Sequence, residues 1–398
     1  RKAGLDPVAV RRKNLIPDDA YPYETAAGMP FEGLSLQASL DELVRIMDYD
    51  ALCADRDAKR KEGRYLGIGV SVYVEGTSPS PMIYGIGGAP ITAQDACNVK
   101  LEPSGAISAA VGVTDQGQGA QAVLTQVIAG AVGVPMASVS VTLGDTGRTP
   151  YGGGTWASRA TGIAGEAALR AGRSLRENLL TIAGALMQVS ADGLDIRDGQ
   201  IVQKSDGAVR MSLAELGRIV HFQGTGLPIQ DDPGVMATGH YSLRDAPFMY
   251  TNGAIGALVE LDPDTGFITP LKVWAVDDCG MPVNPMLVDE QLRGGIANGI
   301  GSALFEELCY DEDGQLQNGT LVDYLLPMAG EMPDIEVSHV STPTQKSGLG
   351  AKGVGEAGVI GGPGAILNAV NDALAPFGVH VTEQPYTPQR ILAALGRI

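Results

Sequence analysis

The residue of this sequence best placed to do chemistry is a single carboxylate in a glycine-dense loop. Glu356 lies within the run Ala351–Gly364, which reads AKGVGEAGVIGGPG. Glycines let a backbone turn tightly and approach a ligand closely, so this side chain has little cover from its neighbours. Such a carboxylate can serve as a general base when a bound group completes the pocket around it. An ordinary glycine-rich turn is the competing interpretation of this loop taken alone.

Two further glycine-rich loops lead into predicted helices. Gly117-Gln118-Gly119 precedes Ala120–Val132, and the run 152–161 precedes a long helix near Ala160–Met187. Helix N-termini favour bound anions by about 0.3–1 kcal/mol. The same loops carry donors suited to phosphate oxygens on Thr155, Ser158, Arg159 and Thr161.

Capping explains any one of these loops, but three in one chain favour a single large phosphate-bearing ligand. The chain has no Walker-type lysine pattern and no GxGxxG after a strand. Both absences disfavour a nucleoside triphosphate or a Rossmann-bound dinucleotide.

The cysteines and histidines are widely separated. The cysteines form no CxxC pair and no iron–sulfur spacing, and the histidines form no zinc pattern, so no metal ligand from the protein is predicted. Unpaired thiols indicate a reducing compartment, which favours a cytoplasmic protein. Cys279, in Asp278-Cys279-Gly280, is either a reactive thiol or a buried structural one; no histidine lies near it in sequence.

Composition excludes some partners. The chain has 398 residues, 54 of them glycine, and a formal charge of -18. That charge disfavours binding to nucleic acid or to an anionic membrane. There is no apolar run of about 18 residues, so no membrane span is predicted. The chain begins Arg-Lys-Ala-Gly without Met, so a missing presequence carries no conclusion.

A repeated pattern predicts how these loops are positioned. Cys97–Leu101 and Ala106–Val113 read as a β-hairpin, and Ala257–Pro263 with Phe267–Ala275 read as a second one about 160 residues later. A loop and a helix follow each hairpin, the second helix at Pro285–Leu304. Chance similarity is the alternative to an internal duplication. The predicted fold class is α+β, with mixed sheets built from hairpins and packed against helices.

Several segments together resemble a known family. They are GLDP and RRKNLI within 4–16, DQGQG at 115–119, GDT at 144–146, PYGGGTWASRAT at 150–161, DCG at 278–280 with Asn284-Pro285 and Gln291, DYLLP at 323–327, and KGVGE at 352–356. In this order, across nearly the whole chain, they resemble the C-terminal half of the molybdenum-binding large subunit of the xanthine dehydrogenase and carbon monoxide dehydrogenase family of molybdenum hydroxylases.

The resemblance implies the family's molybdopterin-binding domains and a molybdenum ion held through a pyranopterin, in bacteria usually the cytosine dinucleotide form. Glu356 matches the family's catalytic glutamate, the general base when an sp2 carbon of an N-heterocycle or aldehyde is hydroxylated with oxygen from water. The implied cofactor-binding residues are Gln116, Gly117, Gln118, Gly119, Thr155, Ser158, Arg159, Ala160, Thr161, Gln291, Lys352, Gly353, Val354 and Gly355.

Two departures leave the substrate pocket undefined. Ala120-Gln121-Ala122 stands where the family often has Thr or His, and Ile255 stands where many members have His. The family's GGxFG loop and the copper-binding cysteine loop of carbon monoxide dehydrogenases are not in this sequence. The resemblance therefore implies a hetero-oligomer with a polypeptide carrying the N-terminal half, an iron–sulfur subunit with [2Fe–2S] clusters and an FAD subunit.

The predicted division places an entry arm at 1–64, packed on a partner or on the missing half. A first cofactor-binding subdomain follows at 65–190, a small strand-rich insertion at 191–240, and a second subdomain with the glutamate loop at 241–398. A non-catalytic binding or assembly subunit and a fragment of a carbon monoxide dehydrogenase large subunit are the alternatives. A hydrolase using Cys279 is a third, without a Cys-His grouping to support it.

Overall fold

The computed structural model describes residues 4–83, 92–223 and 234–398. The run Ser78–Gln94 is rich in proline and glycine, which predicts a loop, and part of it lies outside the described residues. Part of the predicted insertion 191–240 also lies outside them. No helix in the described part of the chain is long and apolar enough to cross a membrane.

Two four-stranded sheets share one plan. The strands are β1 (Tyr23–Glu24), β2 (Pro30–Phe31), β3 (Tyr65–Thr77), β4 (Asp95–Leu101), β5 (Ile107–Val111), β6 (Val139–Leu143), β7 (Leu194–Arg197), β8 (Gln200–Gln203), β9 (Val209–Ser212), β10 (Met236–Tyr241), β11 (Met249–Leu261), β12 (Ile268–Asp278) and β13 (Asp334–His339). One sheet has the order β10-β4-β5-β6 and the other the order β3-β11-β12-β13. In each, an antiparallel hairpin is central and its second strand pairs in parallel with the edge strand. The internal duplication and the α+β class are confirmed.

A helical layer covers one face of each sheet. The helices are α1 (Pro7–Asn14), α2 (Leu36–Met47), α3 (Tyr49–Lys61), α4 (Ala120–Val132), α5 (Glu166–Met187), α6 (Leu213–Phe222), α7 (Pro285–Leu304), α8 (Ala357–Ala373) and α9 (Pro388–Ala394). Helix α5 packs on β10 and β4, as α8 packs on β3 and β11. Glycines permit this contact, because a Cβ on Gly239 or Gly69 would overlap the backbone of α5 or α8. In each unit, one face of the sheet is therefore buried by a helix that packs closely against a glycine of the sheet.

The first helices cover the opposite face of the second sheet. Leu40 and Leu43 of α2 are fully buried and pack in one cluster with Val70, Trp274 and Val276. The sequence predicted a partner surface for residues 1–64, whereas the apolar side of α2 packs on this chain's own sheet. The next helix, α3, was not predicted, because its sequence is mostly polar.

A small sheet lies between α5 and β10 in the sequence and packs into the core of the first unit. Strands β7, β8 and β9 form it, and α6 follows. Strand β10 spans the predicted boundary at residue 240 and pairs with β4, from Met236 with Lys100 to Tyr241 with Asp95. The division into four segments stays a prediction.

Candidate functional site

The predicted loops meet at one cavity of about 470 Å³. Every residue predicted for the site lines it except Gly119: Gln116, Gly117, Gln118, Thr155, Ser158, Arg159, Ala160, Thr161, Gln291, Lys352, Gly353, Val354, Gly355 and Glu356. The cavity also has an apolar wall, formed by Trp156 of the predicted loop 150–161 and by Pro282, Val283, Leu287 and Val288, which the sequence analysis missed. Ligand sites in proteins commonly combine such a wall with a few polar groups.

Helices from both duplicated units begin at this cavity. Helices α4, α7 and α8 start at residues that follow lining loops, and a π-helical turn at Ala160–Gly165 leads into α5. Asn284 caps α7, where its Oδ1 accepts a hydrogen bond from Leu287 N at 3.2 Å. Glu356 is the N-cap residue of α8, but its side chain does not cap that helix. Its exposed carboxylate therefore stays available to the cavity.

Direct contacts hold the loops against one another. Gln291 Nε2 donates to Gly355 O at 2.8 Å, and Lys352 N donates to Cys279 O at 2.8 Å. A Cβ on Gly353 would overlap the carbonyl oxygen of Ser158. This position therefore needs glycine, because the backbones of the two loops touch there.

The side chains of Gln118 and Thr155 both hold the backbone of the loop that contains Thr114 and Gln118. Gln118 Nε2 donates to Thr114 O at 3.2 Å, and its Oε1 accepts from Gln116 N at 2.6 Å. Thr155 Oγ1 accepts from Thr114 N at 3.1 Å and donates to Thr114 O at 2.7 Å. Their predicted cofactor contacts stay a prediction.

The two cations predicted for the site are buried and paired. Lys352 Nζ lies 3.3 Å from Asp278 Oδ1 and donates to Thr342 Oγ1 at 3.2 Å. Arg159, fully buried, forms an ion pair with Asp95, and its Nη2 donates to Gln94 O at 2.9 Å. The charge of each side chain is therefore already balanced by a carboxylate within the protein.

Cys279 has the environment of a structural thiol. It is 4% exposed, and burial together with the charges of Asp277 and Asp278 raises its pKa well above the ordinary value. A thiol held neutral is a poor nucleophile. His339, a candidate partner base, is paired with Asp289 at 2.7 Å. The structure gives the proposed Cys279 hydrolase no support.

A second carboxylate lies behind Glu356, and the sequence analysis did not select it. Glu75, near the end of β3, is 3% exposed, and the Ser158 hydroxyl donates to its Oε1. Burial first, and then the charges of Glu356 and Asp277, raise its pKa to about 8, against the hydrogen bonds from Ser158 and Glu356 N. The available signal was a lone acid closing the apolar run YLGIGVSVYVE.

The shifted pKa of Glu75 predicts a pH-dependent stability. Because the folded pKa of about 8 exceeds the ordinary 4.5, the folded state binds the proton more tightly and is stabilised by it. This contribution is complete below the unfolded pKa and is lost as pH rises through 8. Relative to Glu75→Gln, the wild-type free energy of unfolding should fall by roughly 3–5 kcal/mol between about pH 5 and pH 8.

Denaturant midpoints of both proteins across this pH range measure the effect. Glu177→Gln is the matched control, because Glu177 is exposed on α5. Parallel pH curves for wild type and Glu75→Gln would show that Glu75 is ionised in the folded protein, contrary to this prediction.

Comparison with known proteins gives concordant matches. Residues 42–333 match the family model described as molybdopterin cofactor-binding domain. The chain is 36% identical over 394 residues to the nicotine 6-hydroxylase large subunit of Paenarthrobacter nicotinovorans. That alignment covers 99% of this chain and 48% of the relative. The chain is 33% identical over 404 residues to the carbon monoxide dehydrogenase large chain of Hydrogenophaga pseudoflava, covering 99% and 49% respectively.

A solved structure shows the same fold. Quinoline 2-oxidoreductase from Pseudomonas putida 86 superposes with a TM-score of 0.90 at 33% identity, covering 100% of this chain and 50% of that one. The chain thus spans about half the length of the relatives that it matches.

Proposed function

The chain belongs to the molybdopterin cofactor-binding family of molybdenum hydroxylase large subunits, and on that premise we propose that its cavity forms one side of a hydroxylase active site. The observation that carries the proposal is the convergence of three separate glycine-rich loops and Glu356 on one cavity. In the proposed reaction an sp2 carbon is hydroxylated with oxygen from water, and Glu356 is the general base.

The chemistry of the lining fits a pyranopterin. The apolar wall with Trp156 suits a fused ring system, and the helix N-termini that follow the lining loops suit phosphate oxygens. Lys352 and Arg159 are paired with Asp278 and Asp95, so Glu356 is the unpaired charge among the lining residues that the structure describes. A cofactor with internal phosphates, bound by backbone N–H groups, is compatible with such a site.

The residues around the cavity would have separate roles in the proposed reaction. Backbone around Gln118, Ala160 and Gly353 would hold the cofactor, and Gln291 would fix the loop before Glu356 through its bond to Gly355 O. The bound cofactor would supply the redox chemistry and the site of oxygen transfer. Glu356 would take one proton on its carboxylate and so activate the oxygen nucleophile.

The rest of the assembly is proposed from the relatives. One of them is a nicotine 6-hydroxylase and another a quinoline oxidoreductase, so an N-heterocycle is the preferred substrate class, with an aldehyde as the alternative. The family's other half, with the GGxFG loop, would close the cavity from a longer chain or from a partner polypeptide. [2Fe–2S] and FAD subunits would carry the electrons away, and the cytosine dinucleotide form of the cofactor is expected.

Elemental and nucleotide analysis of the assembled protein tests this proposal. Molybdenum at one equivalent with a released cytosine nucleotide is the expected result. Gly353→Ala should lower the molybdenum content about tenfold or more, because the added methyl group forces two touching loops apart at about 1–3 kcal/mol.

The matched control is Gly364→Ala in the same glycine-rich run. A Cβ there would meet Ser71 Cβ at 3.5 Å, an ordinary contact, so the molybdenum content should not change. Molybdenum absent from the wild-type assembly would favour the alternative of a non-catalytic assembly subunit. Equal loading of both variants would remove the proposed role of Gly353.

A further inference from the structure

A single hydroxyl group lies between two carboxylates at the candidate site. Ser158 Oγ contacts Glu75 Oε1 most closely and lies 3.3 Å from Glu356 Oε2. It also accepts a hydrogen bond from Glu356 N at 3.1 Å. A serine hydroxyl has one proton to donate and two lone pairs to accept with. It can therefore serve one of the two carboxylates at a time.

We propose that Glu75 is a positioning residue whose protonation state decides which carboxylate receives the Ser158 hydroxyl, so that Glu356 is oriented for catalysis while Glu75 is neutral. This inference rests on the proposed role of Glu356 as the base. When Glu75 carries its proton, its own O–H can donate to Ser158 Oγ. The serine proton is then free to be donated to Glu356 Oε2.

The burial of Glu75 favours the neutral acid. Its Oε2 is buried and has no hydrogen-bond partner among the described residues. An ionised carboxylate with one buried, unpartnered oxygen loses its hydration without replacement, which costs more than the same loss for a neutral acid. The raised pKa, about 8, agrees with this geometry. At neutral pH the hydroxyl would therefore donate to Glu356.

The backbone fixes Ser158 in this position. Ala157 and Ser158 both have left-handed backbone conformations, with φ of 46° and 49°, and Ala157 O accepts a hydrogen bond from Ser78 N at 3.3 Å. Non-glycine residues adopt this conformation at a cost, and they do so where surrounding contacts impose it. Gly353, pressed against the Ser158 carbonyl, is one such contact. The hydroxyl is thus held between the carboxylates by the fold.

The charged groups facing Glu75 are few. Glu356 faces it from the start of α8, Asp277 from β12, and Tyr73 lies two residues away on its own strand. On β11 the residue opposite Glu75 is uncharged Thr251. Asp277 is fully buried, its Oδ1 accepts from Tyr73 Oη at 2.9 Å, and burial raises its pKa to about 7. Because the two pKa values are close, a variant of Asp277 is needed to assign a pH effect to Glu75.

The pH dependence of turnover follows from this arrangement. Above about pH 8 Glu75 loses its proton to solvent, the Ser158 hydroxyl turns to it, and Glu356 loses that donor beside a second negative charge. The activity of the assembled enzyme should then fall about tenfold or more around pH 8 and level off, because Glu356 loses one hydrogen bond to its charged group. Glu75→Gln stays neutral and can still donate to Ser158 through its amide, so its activity should stay level across this range.

Two variants control for other titrating groups. Asp277→Asn should keep the alkaline fall if Glu75 causes it. Glu166→Gln changes another buried glutamate, which pairs with Arg170 and does not line the cavity, and should also keep it. If Glu75→Gln does not assemble, Ser158→Ala removes the shared hydroxyl and should show lower activity below pH 8 and no alkaline fall.

Infrared spectroscopy supplies a measurement independent of turnover. A protonated carboxylic acid band that titrates near pH 8 should be present in the assembled wild type and absent from Glu75→Gln. In Glu356→Gln the band should remain but titrate at a lower pH, because one of the charges that raise the Glu75 pKa is gone. A missing band at pH 7, or an alkaline fall unchanged in Glu75→Gln, overturns the inference while leaving the role of Glu356 intact. A fully active Glu356→Gln would instead overturn the proposed function itself.

Discussion

A Glu356→Gln variant of the assembled enzyme should lose about 10²–10⁴-fold in kcat, the usual effect of removing a general base. Glutamine keeps the size of the side chain and the backbone N–H that donates to Ser158 Oγ, but it cannot accept the proton. The side chain does not cap α8, so the helix start should be unaffected. Molybdenum and nucleotide content should match those of the wild type, which separates a chemical defect from a binding defect.

Steady-state kinetics on preparations of equal molybdenum content make this measurement. Glu383→Gln, at an exposed glutamate outside the cavity lining, is the matched control and should retain wild-type kcat. A Glu356→Gln enzyme within about threefold of the wild type would exclude a general-base role, since such a role contributes about 10²-fold or more.

An Asp95→Asn variant should unfold more readily, by about 3–5 kcal/mol, because it leaves the Arg159 guanidinium buried without a counter-charge. Both side chains are fully buried. They form an ion pair, and Arg159 Nη1 and Nη2 also donate to the carbonyl oxygens of Gly154 and Gln94. Burial raises the pKa of Asp95 to about 6 even beside this cation.

Denaturant unfolding of single and double variants measures this effect. Asp41→Asn removes the partner of an exposed ion pair with Arg12 and should cost less than about 1 kcal/mol. Adding Arg159→Gln to Asp95→Asn should recover part of the loss, because no charge then remains buried. An Asp95→Asn protein as stable as the wild type would mean that solvent reaches the guanidinium.

Local chemistry made some elements predictable. Helices α4 and α7 have the predicted bounds, Ala120–Val132 and Pro285–Leu304, since Gly119 and Asn284-Pro285 mark their starts. The predicted helix from Ala160 begins instead as a π-helical turn, and α5 proper starts at Glu166. The convergence of the loops was predicted from their number and from the family resemblance, because three glycine-rich loops before helices favoured a single large ligand.

Other features could not be predicted from the sequence, because they depend on contacts between residues that are far apart in it. Arg159 looked like a phosphate donor, and nothing local pairs it with Asp95, 64 positions earlier in the sequence. Glu75 and Ser158 likewise meet only because β3 ends beneath the loop before the π-helical turn. Strand β10 joins β4 across more than a hundred residues, whereas its own sequence neighbours suggested a separate insertion. The residue types indicate which chemistry is possible at these positions, but tertiary contacts determine which residues pair with one another.

The small sheet of β7, β8 and β9 offers a place to attach other molecules to this protein. Its β8–β9 turn is exposed at residues 204–207, and Gly207 supplies a left-handed φ of 70° there. None of the residues in 191–223 contributes to the wall around the cavity. Exposed hairpin tips are where added sequence is best tolerated. A fluorescent label or an immobilisation tag fused at this turn would lie away from the residues that line the cavity.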